Sequence, residues 1–336
     1  MTGVQRVAIE VVRAMHECIR SEGLDVQLVV IEPPQWLTRT RLRPLFALLW
    51  EQFVLPVVAR DGLLLSLCNT GPVLKSHHAL VLHDAAVFDM PQNYGARYVR
   101  LQRLLMAMHA RRAKQIFTVS GFSRSRLAHH LGLVESSIRL LGVGAEHVLR
   151  MQADSRILER LGLHESGYML AIGSRQPGKN FSALLEAAQI ARLELPIVIV
   201  GGADTHVFGY GELLQSGHLI DAGYVSDDEL IALLQHARCY VQPSLYEGFG
   251  LPVIEAMALA VPVLCAHVAS LPEICGDAAI YFDPHNPADI ARAMNTFLSD
   301  KSSYATLSRA GLARAKLYSW LDGAKRLLTD LKPLTK

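Results

Sequence analysis

An α/β protein built from two doubly wound parallel sheets facing a cleft is the fold class this sequence predicts. Three observations carry the prediction. Short β-branched runs alternate with helical periodicity along the whole chain, the pattern of parallel strands covered on both faces. The alternation falls into two series that divide near residues 145–165. The chain has 336 residues, 51% of them hydrophobic, which suits two cores better than one. Charge separates the halves as well. Residues 1–150 hold 18 Lys and Arg against 11 Asp and Glu, a balance of +7; the remainder hold 15 against 20, a balance of −5.

In the first half the predicted strands are Val26–Ile31, Leu63–Leu67, Ala79–His83, Gln115–Val119 and Arg139–Leu141. In the second they are Tyr168–Ile172, Ile197–Val200, Cys239–Gln242, Val263–Ala266 and Ala279–Phe282. Helical periodicity lies between them, as in Phe181–Arg192 and Asp227–His236. The domains are drawn at 1–150 and 151–318. Five cysteines (Cys18, Cys68, Cys239, Cys265 and Cys275) form no Cys-x-x-Cys pair, so reduced thiols in the cytosol are expected, with no metal cage. No signal peptide is visible. The apolar stretch Pro44–Val58 is broken by Glu51 and Gln52 and is too short to span a bilayer.

Ligands of such sheets bind beyond the carboxyl ends of the strands. The most informative stretch there is Pro243-Ser-Leu-Tyr-Glu247-Gly-Phe-Gly250-Leu-Pro252-Val-Ile-Glu255. It follows a strand and opens a helix. Gly248 and Gly250 allow close approach to the backbone, and Pro252 suits a first helical turn. Free amides at that helix start favour an anion such as phosphate. Glu247 and Glu255 then make sense as acceptors for hydroxyls, one from a sugar and one from a ribose. The alternative is a glycine turn with an acidic first-turn residue.

A second stretch, Gly173-Ser-Arg175-Gln-Pro-Gly-Lys179-Asn180, offers Arg175 and Lys179 to phosphate oxygens. Its spacing also fits an ATPase phosphate loop, but Asn180 stands where that loop needs Ser or Thr, and Asp204, which could be offered as the later metal-binding Asp, is preceded by two glycines. Two solvated basic residues on a loop is the third reading. Gly201 and Gly202 end the strand Ile197–Val200, as expected for close approach to a ligand or for a tight turn. His83 closes an apolar strand and is expected to point into the cleft, although a lone histidine is more often structural. Arg39, Arg41 and Arg43, and Arg97, Arg100, Arg103, Arg111, Arg112 and Lys114, are either solvated helix faces or a surface for an anionic membrane.

Together these motifs resemble the retaining glycosyltransferases of family 4, which have the GT-B architecture of two Rossmann-like domains. Thr2-Gly-Val-Gln-Arg6-Val, Val119-Ser-Gly-Phe-Ser123-Arg, Gly223-Tyr-Val-Ser-Asp-Asp-Glu229 and Leu271-Pro-Glu-Ile-Cys-Gly-Asp277 support the resemblance. It implies that Glu247 contacts the donor sugar, Glu255 the ribose, and Arg175 and Lys179 the diphosphate. Phe249, Gly250 and Leu251 would offer backbone amides. Val225 lies in the segment that cradles the base. Gly201 and Gly202 belong to the donor site, His83 would lie against the donor sugar, and Gly3 would approach the diphosphate. A final helix, over 319–336, would return to the N-terminal domain.

The family's first N-terminal strand is missing, since the chain begins at the glycine loop. Either the assigned start is late or the domain is naturally weakened. The function implied is transfer of a sugar, with retention, from a nucleotide-diphosphate donor to a glycan or lipid-linked acceptor in bacterial surface polysaccharide assembly. GDP-mannose is the preferred donor, solely because the chain resembles bacterial mannosyltransferase-type members of the family. No metal or other cofactor and no nucleic acid is expected, and the protein would work in the cytoplasm against the membrane's inner face. The rivals are a catalytically inactive nucleotide-sugar-binding protein of this fold and a phosphate-loop ATPase or kinase.

Overall fold

A computed structural model describes residues 2–34, 43–202 and 219–334. The chain divides into two compact units, residues 1–143 with 320–336, and 144–319. Residues 144–150, assigned to the first domain from sequence, therefore belong to the second unit.

The first unit holds a parallel sheet in the order β1 (Leu64–Ser66), β2 (His78–Val81), β3 (Gln115–Thr118), β4 (Ile138–Leu140). All of β2 is buried, whereas β1, at the edge, is only half-buried. Among the described residues no strand precedes the helix Gly3–Glu22. That helix is capped by a reciprocal Thr2–Gln5 box and stops at Gly23, in the left-handed region at φ 60°. Its apolar stripe of Val7, Val11, Ala14, Met15 and Cys18 packs on the helix Trp320–Leu331. The two are joined by Glu22–Lys325 at 3.0 Å. The carboxyl-terminal helix is further locked by two glycines. A Cβ on Gly142 would lie 2.2 Å from the Gly323 Cα, so backbone meets backbone there.

The predicted strand Val26–Ile31 does not form. Residues 24–34 pair with no described strand, and Val26, Val29 and Val30 are exposed. Its β-branched run has the right propensity, but a strand also needs a neighbour to take its N–H and C=O groups.

The second unit holds a six-stranded parallel sheet in the order β10 (Ala279–Phe282), β9 (Val263–Ala266), β8 (Cys239–Gln242), β5 (Met169–Ile172), β6 (Ile197–Val200), β7 (Leu219–Gly223). β6, β8 and β9 are buried throughout. Such runs read as continuous apolar segments, which made them visible. β7 went unpredicted because Asp221 and Gly223 interrupt its apolar pattern. The register between β6 and β7 slips at Ile199/Val200, leaving Ala222 as the extra residue. No helix among the described residues is long and apolar enough to cross a membrane.

Candidate functional site

In the second unit the loops after β5 and β8 come together, with Gly201, just after β6, against Gly173. The loop after β5 runs through a single 3-10 turn, Pro177–Lys179, into Asn180 in the left-handed region. The Asn180 side-chain amide donates to the Pro243 and Pro284 carbonyls at 3.1 and 2.7 Å. Leu245 N–H donates to the Gly178 carbonyl at 2.8 Å, tying this loop to the glycine turn after β8. Asn180 is thus committed to holding loops, and the phosphate-loop reading loses the hydroxyl it needs at that position. Asp204 lies outside the described residues.

Lys179 and Glu247, 68 residues apart, form an ion pair at 2.6 Å. Gln242, at the end of β8, donates to the same Oε1 of Glu247 at 2.8 Å and to the Ser244 hydroxyl at 2.5 Å. The Tyr240 hydroxyl donates to the Gln242 Oε1. Burial, with the Glu247 charge nearby, raises the Tyr240 pKa and keeps it a donor. All of Gln242's amide capacity is then directed, so its orientation is settled by its neighbours. Both partners of Glu247 act on Oε1, which leaves Oε2 to accept from a ligand.

The turn itself is shaped by Gly250, at φ 94°, which precedes the helix Leu251–Ala258 with Pro252 in its first turn. The Ser270 hydroxyl lies 2.9 and 3.0 Å from the Glu247 and Phe249 carbonyls and pins the turn from outside. Phe249 and Leu251 are buried, and Phe249 stands edge-on to Tyr318. Glu255, one turn into that helix, is buried with its Oε1 2.8 Å from His147 Nε2.

Arg175 is almost fully buried and paired with Asp221, whose Oδ1 also accepts from Gly223 N–H at 2.9 Å. Gly201 must be glycine for an internal reason. Its φ is 134°, and a Cβ there would lie 2.1 Å from the Gly173 carbonyl oxygen. Among the described residues nothing lies within 4 Å of where a Cβ on Gly202 would stand. Val225 is buried just ahead of the Ser226–Glu229 capping box.

Two predicted residues lie in the first unit. Gly3 is the first residue of a capped helix, with open space where a Cβ would be. His83 is 5% exposed, its Nε2 2.8 Å from the Leu67 carbonyl and its backbone N–H donating to Asn69 at 2.6 Å. Burial lowers the pKa of His83, so its imidazole is neutral. Among the described residues no three His, Cys, Asp or Glu side chains gather as a metal-binding group.

Sequence reading missed Gln242, Ser270, Asp221 and His147. Only Gln242 gave a signal, as a polar residue closing an apolar strand; the others act across 21 to 108 residues.

Known proteins resemble this chain in sequence and in fold. The glycosyl transferases group 1 family matches residues 155–314. O-antigen chain mannosyltransferase B of Escherichia coli is 34% identical over 263 residues, 75% of this chain and 69% of that protein. The serotype-specific mannosyltransferase WbdA of Escherichia coli is 28% identical over 247 residues, and the chain spans 29% of its length. The structure of Anabaena HepE in complex with UDP and glucose superposes with a TM-score of 0.71 at 16% identity, over 99% of this chain and 96% of that one. That last likeness shows the fold, GT-B, as the sequence resemblance implied.

Proposed function

This chain belongs to the glycosyl transferases group 1 family, and on that premise we propose that it moves a sugar from a nucleotide-diphosphate donor to a glycan or lipid-linked acceptor, with retention. The observation that carries the reading is the Lys179–Glu247 pair at the mouth of a glycine turn and helix start. A lysine ammonium has three donors. Glu247 takes one, which leaves Lys179 able to bridge Glu247 and a phosphate. As the diphosphate departs, negative charge grows on its oxygens. Lys179, the remaining donors of Arg175 and the amides at Leu251 would stabilise that charge without a metal. Glu247, held through Oε1, would accept a sugar hydroxyl on Oε2. A leaving phosphate oxygen would take the acceptor's proton. The mannosyltransferase names of the relatives favour GDP-mannose and surface polysaccharide assembly.

A lipid-linked acceptor draws support from the first unit. The helix Ala96–Arg112 exposes Tyr98, Leu101, Leu104 and Met108 beside exposed Arg97, Arg100, Arg111 and Arg112. An apolar stripe flanked by cations suits an anionic membrane surface. Arg103 does not contribute, since it donates to the Val87 and Phe88 carbonyls. Arg39 and Arg41 lie outside the described residues.

A panel of sugar nucleotides tests the reading, each scored for binding and for transfer to a lipid-linked glycan extract. Binding and transfer from GDP-mannose is the expected result. Binding without transfer or hydrolysis would favour an inactive binding protein. ATP turnover in the absence of sugar transfer would contradict both.

A further inference from the structure

Glu255 does not stand alone in its helix. His147 reaches it from the 3-10 turn Glu146–Leu149, 108 residues earlier, and the two meet at 2.8 Å. The His147 side chain is 2% exposed and that of Glu255 11%. The turn that carries His147 is anchored by Ala145 and Val148, both 1% exposed, so it has little freedom to move. A carboxylate only accepts, so the proton on this bond belongs to the His147 Nε2. We propose that His147 is the positioning residue for ribose recognition: it holds Glu255 by Oε1 and leaves Oε2 as the acceptor for the nucleotide's hydroxyls. This rests on the reading of Glu255 as the ribose acceptor.

Two physical arguments favour this role over simple packing. A buried carboxylate with no donor is costly, and it neutralises or turns away instead. A single imidazole N–H occupies one oxygen from one direction. An arginine there would engage both oxygens with its fork and leave nothing for a ligand. Histidine is therefore a donor suited to hold this glutamate and keep it usable.

The test compares GDP and UDP, each with its 2′,3′-dideoxy counterpart, by calorimetric titration of the full chain. The wild type should prefer the ribonucleotide. His147→Phe keeps the ring's bulk and removes the donor. It should weaken the ribonucleotide about tenfold, as expected for one hydrogen bond to a charged group. Binding of the dideoxy form should stay within twofold. His147→Gln restores a donor and should recover most of the loss. Should the Phe variant fail to fold, His147→Asn, whose amide stops short of Glu255, takes its place. Equal loss for both nucleotides, or a variant that keeps the wild-type preference, overturns the proposal. A wild type that binds both forms alike overturns the ribose reading of Glu255 itself, and the proposal falls with it.

Discussion

The two units solve the same architectural problem with different margins. In the second, six parallel strands bury three of their number completely, and the polar side chains at the strand ends are nearly all spoken for. Lys179 has Glu247, Arg175 has Asp221, and Glu255 has His147. In the first, four strands end on the half-buried edge of β1, the valines of residues 26–30 are exposed, and a basic helix shows a stripe of apolar side chains. The contrast teaches that one unit ties its charged side chains into pairs at the strand ends, whereas the other leaves apolar side chains exposed beside its arginines.

Lys179→Ala should cut that contrast most deeply. On the proposed mechanism it removes a cation whose value grows as the diphosphate leaves. Turnover should fall about 10²–10³, or roughly 3–4 kcal/mol, with intact-donor affinity suffering less. Steady-state transfer assays beside donor titration check this, and turnover within twofold of wild type would remove Lys179 from the mechanism.

The two glutamates sharpen the picture within the second unit. Glu255→Gln should weaken the bare nucleotide diphosphate by about 1.5–3 kcal/mol, the worth of a hydrogen bond to a charged group. Glu247→Gln should leave that affinity nearly intact and slow transfer. Equal losses in a calorimetric titration would erase the division of labour.

Acid should separate the units next. His78 and His109 are both 1% exposed in the first unit and face each other at 5.7 Å. Burial pushes His78 down to about 3 and His109 to about 4, from an ordinary 6.5. Their folded-state values are depressed, so the unfolded chain binds more protons below pH 6.5. The stability they supply is full above that pH and is lost as pH falls toward 4 and 3. At pH 5 the loss is about 2 kcal/mol for each histidine. Hydrogen exchange should show the first unit opening before the second as pH is lowered from 7 to 4. Simultaneous opening would mean the units are not independent in stability.

The smallest effect concerns the basic helix. Arg100→Glu and Arg111→Glu should each reduce affinity for anionic vesicles by about 1 kcal/mol, screened by salt. Nucleotide affinity should not move. Co-sedimentation that ignores both charge and salt would leave the exposed stripe without a membrane partner.

Much of this was legible before any coordinates. The buried strands of the second unit are continuous apolar runs, and a glycine turn between such a strand and a proline-led helix locates Glu247 and Glu255 by local chemistry alone. Lys179 follows from its place between β5 and the next helix. The same local reading failed at Val26–Ile31, where β-branched residues met no partner strand, and at β7, where Asp221 and Gly223 broke the pattern.

What the sequence determined by itself is whatever depends on neighbours within a few residues: hydrophobic period, helix caps, the conformations that glycine and proline allow. What only the tertiary structure decided is which side chains share a proton or a charge. Asp221 reaches Arg175 over 46 residues and His147 reaches Glu255 over 108. Gly201 is demanded by the carbonyl of Gly173, the residue just after the neighbouring strand β5. Periodicity records that a residue is buried. It does not record against what, because the partner is chosen by sheet order and loop packing, and those emerge only when both cores close.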